Sequence, residues 1–152
     1  MMGRYFWKAW LLAGTLDIIY AGVLSVWFGG TVGSMLLSVA SGPFGNGVAD
    51  SGIAGQAAGF CVHFAIMAVM VAVYGVLAQR PPLSTMSPWL AGALYGLALY
   101  GVMYWIVLPL RFPTVHPITE PARVARALFP HIALVGWPIA LIARRVFGPR
   151  PA

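Results

Sequence analysis

The stretch IAGQAAGFCVHFAIMAVMVAVYGVLA, Ile53–Ala78, decides the fold. It carries no Asp, Glu, Lys or Arg; Asp50 and Gly52 precede it, and Arg80, Pro81 and Pro82 follow it. About 20 apolar residues cross a bilayer core, and two consecutive prolines stop a helix. The segment is therefore predicted to be a transmembrane helix. Working outward from it, three more runs read the same way. One extends from Trp10 to Gly30 between Lys8 and the Gly29, Gly30, Thr31 break. Another extends from Pro88, where proline is tolerated in a first helical turn, to Leu110 before Arg111 and Pro113. The last covers about 127–143 and ends at Arg144 and Arg145. It is short and contains Pro130 and Pro138, so it is expected to kink or to start earlier, with Thr119 placed to cap an extension through Glu120 and Pro121.

Composition agrees. Of 152 residues, 61% are hydrophobic and 8% charged, with a mean hydropathy of +0.86, whereas soluble domains carry roughly 25% charged residues. Such a surface suits lipid rather than water. The net charge of +6 does not mark a nucleic-acid binder, because the basic residues sit between apolar runs rather than in a stripe with interleaved aromatics. The single cysteine, Cys61, allows no intramolecular disulfide and no cysteine metal cluster. Arg4 and Lys8 before an apolar run resemble the start of a signal peptide, but Asp17 interrupts that run and its length suits a retained span.

The expected fold class is thus all-α: one integral membrane four-helix bundle over residues 1–152, with spans at about 10–30, 53–78, 88–110 and 127–143. Residues 31–41 add a short element. Val32, Met35, Leu36 and Val39 share one helical face and Ser34, Ser38 and Ser41 the other. That amphipathic spacing, too short to span, predicts an interfacial or re-entrant helix.

Orientation follows from the basic residues. Arg4, Lys8, Arg80, Arg144, Arg145 and Arg150 fall on the side of the termini, against Arg111, Arg123 and Arg126 with Asp50 and Glu120 on the other. The positive-inside rule places both termini in the cytoplasm. Tyr5, Trp7, Trp10 and Trp89 are expected as anchors at the inner interface, and Trp27, Phe28, Tyr104, Trp105 and Phe112 at the outer one.

Two features carry possible chemistry. The second span aligns Gly52, Gly55, Gly59, His63, Met67, Met70 and Tyr74 on one face, and the third aligns Gly92, Gly96 and Tyr100. Small residues at such spacing let helices approach closely, so Gly55, Gly59, Gly92 and Gly96 read as packing seams. Asp17 is the only acid inside a span, and a carboxylate there costs at least about 2.5 kcal/mol on insertion scales. It shares a face with Gly14, Ala21 and Ser25 and lies roughly 13 Å from the inner boundary, while His63 lies roughly 14 Å from the outer one. Both come near the midplane, so the two are expected to pair. The pair reads either as a staple between spans or as a proton or cation relay.

His131 is placed near the outer boundary, where it could act as a ligand on the outer face, but one to two turns from the depth of His63, which argues against a bis-histidine haem. His116 belongs to the outer loop. Three scattered histidines do not make a zinc site. No hydrolytic triad or phosphate loop is readable, so nothing points to an enzyme or to a cofactor.

Several segments together, GTLDIIYA (Gly14–Ala21), LLSVASGPFG (Leu36–Gly45), His63–Phe64, ALYGLALYGVMYWIVLPL (Ala93–Leu110) and HIALVGWPIALIARR (His131–Arg145), resemble a group of small, uncharacterised four-span bacterial inner-membrane proteins. In that group an Asn often stands where this chain has Tyr104. The resemblance implies a bacterial inner membrane and no assigned activity. Three functional readings remain open: a structural or accessory subunit that presents its glycine seams to other membrane proteins or to a second copy, a small proton- or ion-coupled transporter or channel built on Asp17 and His63, and a haem-, lipid- or quinone-binding protein.

Overall fold

The computed structural model describes residues 1–114 and 119–148. His116 and Arg150 lie outside the described residues. Four helices are long and apolar enough to cross a membrane: α1 (Met2–Trp27), α3 (Gly52–Leu77), α4 (Pro88–Arg111) and α5 (Pro121–Phe147), with the shorter α2 (Val32–Phe44) between the first two. The chain is a multi-pass membrane protein. With four spans, both termini lie at one end of the bundle, here the terminal end; the other is the distal end. Around the bundle, α1 packs between α3 and α5, and α5 packs against α4. The remaining pair, α3 and α4, meet through Tyr74 and Tyr95, whose rings lie 4.9 Å apart, and through the Tyr95 hydroxyl donating to the Met70 carbonyl at 2.6 Å.

Local sequence sets the breaks. The chain leaves α1 through Gly29, at a φ of 82° that favours glycine after a helix end. Thr31 then caps α2 reciprocally: its side chain accepts from the Ser34 amide at 2.9 Å, and the Ser34 hydroxyl accepts from the Thr31 amide at 3.0 Å. Such a capping box satisfies two otherwise unpaired amides. Far from lying alone in the interface, α2 bridges three spans. Its Val32 and Met35 approach Gly22 of α1, and its Leu36 carbonyl lies against Gly59 of α3. At its end the Arg111 guanidinium of α4 donates to the Ser41 and Gly42 carbonyls.

The start of the first span, the cap of the fourth and the placement of Tyr5 and Tyr104 differ from those read in the sequence. α1 starts at Met2 rather than near Trp10, because residues of its first turns pack inside the protein. Tyr5, expected as an interfacial anchor, is fully buried; its hydroxyl donates to the Val71 carbonyl at 2.9 Å and its ring meets Phe147. The fourth span takes the earlier start expected for it, at Pro121, but its N-cap is Glu120, not Thr119. The earlier start adds nearly two turns and carries His131 inward, ten residues from the helix start. Finally, Tyr104 faces inward instead of anchoring the outer interface. Trp7, Trp27, Phe28, Trp89 and Trp105 are exposed, as anchors would be.

The close-packed core occupies the terminal half. It consists of Tyr5, Ala9 and Ala13 of α1, Met67, Val71 and Tyr74 of α3, Ala91, Tyr95 and Leu99 of α4, and Val135, Ile139, Ala140 and Ala143 of α5. The glycine seams close around it. A Cβ on Gly92 would stand 2.7 Å from the Gly136 carbonyl oxygen of α5, and one on Gly96 would strike the His131 carbonyl. In the same way Gly55 and Gly59 receive Leu37 and Leu36 of α2.

Candidate functional site

In the distal half a cavity of about 530 Å³ lies between α3 and α4. Its lining comes from every helix: Asp17 and Ala21 of α1, Met35 and Ser38 of α2, His63, Met67 and Met70 of α3, Met103, Tyr104 and Arg111 of α4, and His131 and Val135 of α5. The lining is mostly apolar; Asp17, His63, Tyr104 and His131 converge along one wall, and Ser38 and Arg111 add polar groups toward α2. Ile66 and Val107 stand at its rim and are exposed on the flanks of their helices.

Two local distortions aim the residues of α4 and α5. Val102–Val107 and Pro130–Gly136 are wound as π-helix. In each case the residue just before a proline closes a five-residue turn: the Leu108 amide bonds to the Met103 carbonyl, and the Trp137 amide to the Ile132 carbonyl. Pro109 and Pro138 follow. A proline cannot donate to the carbonyl four residues back and its ring pushes that carbonyl aside, and a π-turn absorbs the misfit by taking in an extra residue. Such turns recur at functional sites. Here they carry Tyr104 and His131, whose rings lie 5.8 Å apart, with Tyr100 stacked on Tyr104 at 5.0 Å.

The pair expected from the sequence meets. His63 Nδ1 lies 3.9 Å from Asp17 Oδ2, and the two side chains are 12% and 24% exposed. The other ring nitrogen, Nε2, is 3.0 Å from the Gly14 carbonyl oxygen. A carbonyl only accepts, so Nε2 carries a hydrogen. The ring nitrogen that faces Asp17 is therefore Nδ1, at 3.9 Å a contact of ion-pair range and longer than a hydrogen bond. Gly14 makes this possible: a Cβ there would come within 2.7 Å of the Phe64 ring.

His131, expected near the outer boundary, shares the cavity with Asp17 and His63. Its Nδ1 donates to the Ala127 carbonyl at 2.7 Å, which leaves Nε2 as an acceptor. Axial ligation of one iron by both histidines does not suit this arrangement, since His63 spends Nε2 on Gly14 and turns Nδ1 to Asp17. Among the described residues, no group of three or more His, Cys, Asp or Glu side chains is arranged to hold a metal ion.

A second space of about 300 Å³ lies behind the same wall, between α1 and α5. It is lined by Asp17, Tyr20, Tyr104, Arg123, Arg126 and His131, among others. Tyr20 fixes this face by donating to the Arg126 carbonyl at 3.0 Å. Asp17, Tyr104 and His131 thus stand between the main cavity and an arginine-lined vestibule. Toward the termini, a third space of about 310 Å³ begins at Tyr74 and Ala140. Tyr74 is one helical turn, about 6 Å, beyond Met70, so a single packed layer around Val71, Tyr74, Tyr95 and Ile139 separates it from the main cavity.

What the sequence missed is the participation of Tyr104 and the depth of His131, which joins Asp17 and His63 instead of the outer face; the signal was the pair of prolines late in two apolar runs. Compared with protein-family models, with curated proteins and with solved structures, the chain matches none.

Proposed function

We propose that this membrane protein is a small, non-enzymatic, proton-linked carrier of an amphiphilic molecule, seated in a bacterial inner membrane with both termini in the cytoplasm. The observation that carries the reading is the cavity of about 530 Å³ with Asp17, His63, Tyr104 and His131 along one wall. Ligand sites are concave, largely apolar and supplied with a few convergent polar groups, in the range of about 300–1,000 Å³. Intramembrane ionisable residues that face a cavity mark ion or proton pathways. The apolar rim at Ile66 and Val107 favours a ligand that arrives from lipid, its polar end seated against the ionisable wall. Asp17 and His63 are then the groups that exchange a proton with the ligand. The vestibule at Arg123 and Arg126 supports access from the distal side, and the thin layer at Tyr74 and Tyr95 supports a closed gate toward the terminal side.

An accessory subunit would offer its glycine seams to a partner helix. Gly55 and Gly59 are filled by α2, and Gly92 and Gly96 by α5, so the seams supply no argument for a second chain. The test is mass spectrometry of organic molecules extracted from the protein purified in mild detergent, wild type against Asp17→Asn. The wild type is expected to retain one amphiphile near one per chain, and the variant at least tenfold less at an unchanged melting temperature. Equal retention by both, or none by either, rejects the reading. Vesicles loaded with a pH-sensitive dye then test coupling: adding the extracted molecule should move protons with the wild type and not with Asp17→Asn.

A further inference from the structure

At the terminal end, α1 and α5 leave between them a cleft of about 300 Å³ lined by Arg4, Lys8, Ile142, Arg145 and Val146. Arg4 and Lys8 stand four residues apart on one face of α1, opposite Arg145. The three cations line the same cleft, and among the described residues no acidic side chain is near: of the chain's three, Asp17 lies in the middle of α1 and Asp50 and Glu120 at the distal end. Of the other arginines at helix ends, Arg111, Arg123, Arg126 and Arg144 are engaged by the protein itself, and Arg80 lies outside the cleft. Arg123 pairs with Glu120 at 2.9 Å, Arg126 lies over the Phe28 ring, Arg111 binds the Ser41 and Gly42 carbonyls, and Arg144 donates to the Ser84 carbonyl at 3.0 Å. Among the described residues, Arg4, Lys8 and Arg145 have no such hydrogen-bond or ion-pair partner.

We propose that this cleft binds the headgroup phosphate of an acidic phospholipid. Three unpaired cations around a concave surface call for an anion, and basic pockets between helices at the membrane surface hold acidic headgroups. Lipid rather than a soluble anion is favoured by level and by chemistry. Trp7, between Arg4 and Lys8 and 58% exposed, is an interfacial residue that sits at headgroup depth, and Ile142 and Val146 give the cleft an apolar side for the start of an acyl chain.

The full-length protein in mild detergent is titrated separately with phosphatidylglycerol, phosphatidylcholine and glycerol 3-phosphate, and bound species are counted by native mass spectrometry. Phosphatidylglycerol is expected to bind at least tenfold more tightly than phosphatidylcholine. Arg145→Gln should weaken it about fivefold, the value of one basic residue at such a surface, with Lys8→Gln adding a similar factor. Arg80→Gln, which removes the same charge outside the cleft, should leave it unchanged. Equal binding of the two lipids overturns the proposal, as does an equal loss with Arg80→Gln. Competition by glycerol 3-phosphate at the concentration of the lipid would make this a soluble-anion site and also overturn it. The three side chains are exposed, so their neutralisation leaves the bundle intact, and an unchanged melting temperature checks this.

Discussion

At the residue scale, the contact between Asp17 and His63 is the part of the site that the sequence made legible. A lone acid in an apolar run demands a partner, and helix rise alone put the two near the same depth. The Nε2 bond to the Gly14 carbonyl, which orients His63 and assigns its proton, was not legible, because it depends on how close α1 and α3 come. Glycines decide how closely helices approach, and a pair of substitutions tests this where α2 meets α3. Gly59→Ala places a methyl group against the Leu36 backbone, and overpacking of this kind costs about 1–3 kcal/mol. Gly101→Ala, with nothing within 4 Å of the new carbon, should be neutral or stabilising by up to about 1 kcal/mol, the helix-propensity difference. Thermal unfolding in detergent measures both; similar melting temperatures would contradict the packing described for α2.

At the scale of elements, α2 and the two π-turns shape the cavity. Arg111 ties the end of α2 to α4 through two carbonyls. Arg111→Gln should release that end and raise amide hydrogen exchange at 42–48 at least tenfold, since charge-assisted bonds contribute about 1.5–3 kcal/mol. Unchanged exchange would show that α2 is held by its packing on α3 alone. Pro138→Ala restores an amide that can bond four residues back, so the turn at Pro130–Gly136 is expected to relax to α-helix. His131 would then rotate by about 100° relative to the terminal half of α5. Ligand retention should drop about tenfold while the melting temperature does not fall; retention at the wild-type level would mean that the π-turn does not aim His131. The sequence showed both prolines but not the turns, because a proline in an apolar run is equally compatible with a kink, a break or a π-turn until neighbouring helices choose among them.

At the scale of the whole molecule, orientation is open to a direct check. In a Cys61→Ala background, a cysteine at position 50 should react with a membrane-impermeant maleimide in intact cells and one at position 84 should not; the reverse pattern would invert the orientation. Charge supports the expected one, and the structure adds a reason why basic residues at the distal end are tolerated: Arg111, Arg123 and Arg126 are each held by a carbonyl, a carboxylate or an aromatic face. The number of spans, their identity and the amphipathic α2 were determined by the sequence by itself, since hydrophobic length and helical period are local properties fixed by residue type. The near depth of Asp17 and His63 was local too. The order of helices around the bundle, the cavity between α3 and α4 and the arrival of His131 and Tyr104 at the same wall were decided only by the tertiary structure. Lipid gives apolar faces no preference among neighbours, so steric fit between glycine seams, bulky side chains and π-turns selects the partners, and that fit exists only once all the helices are in place.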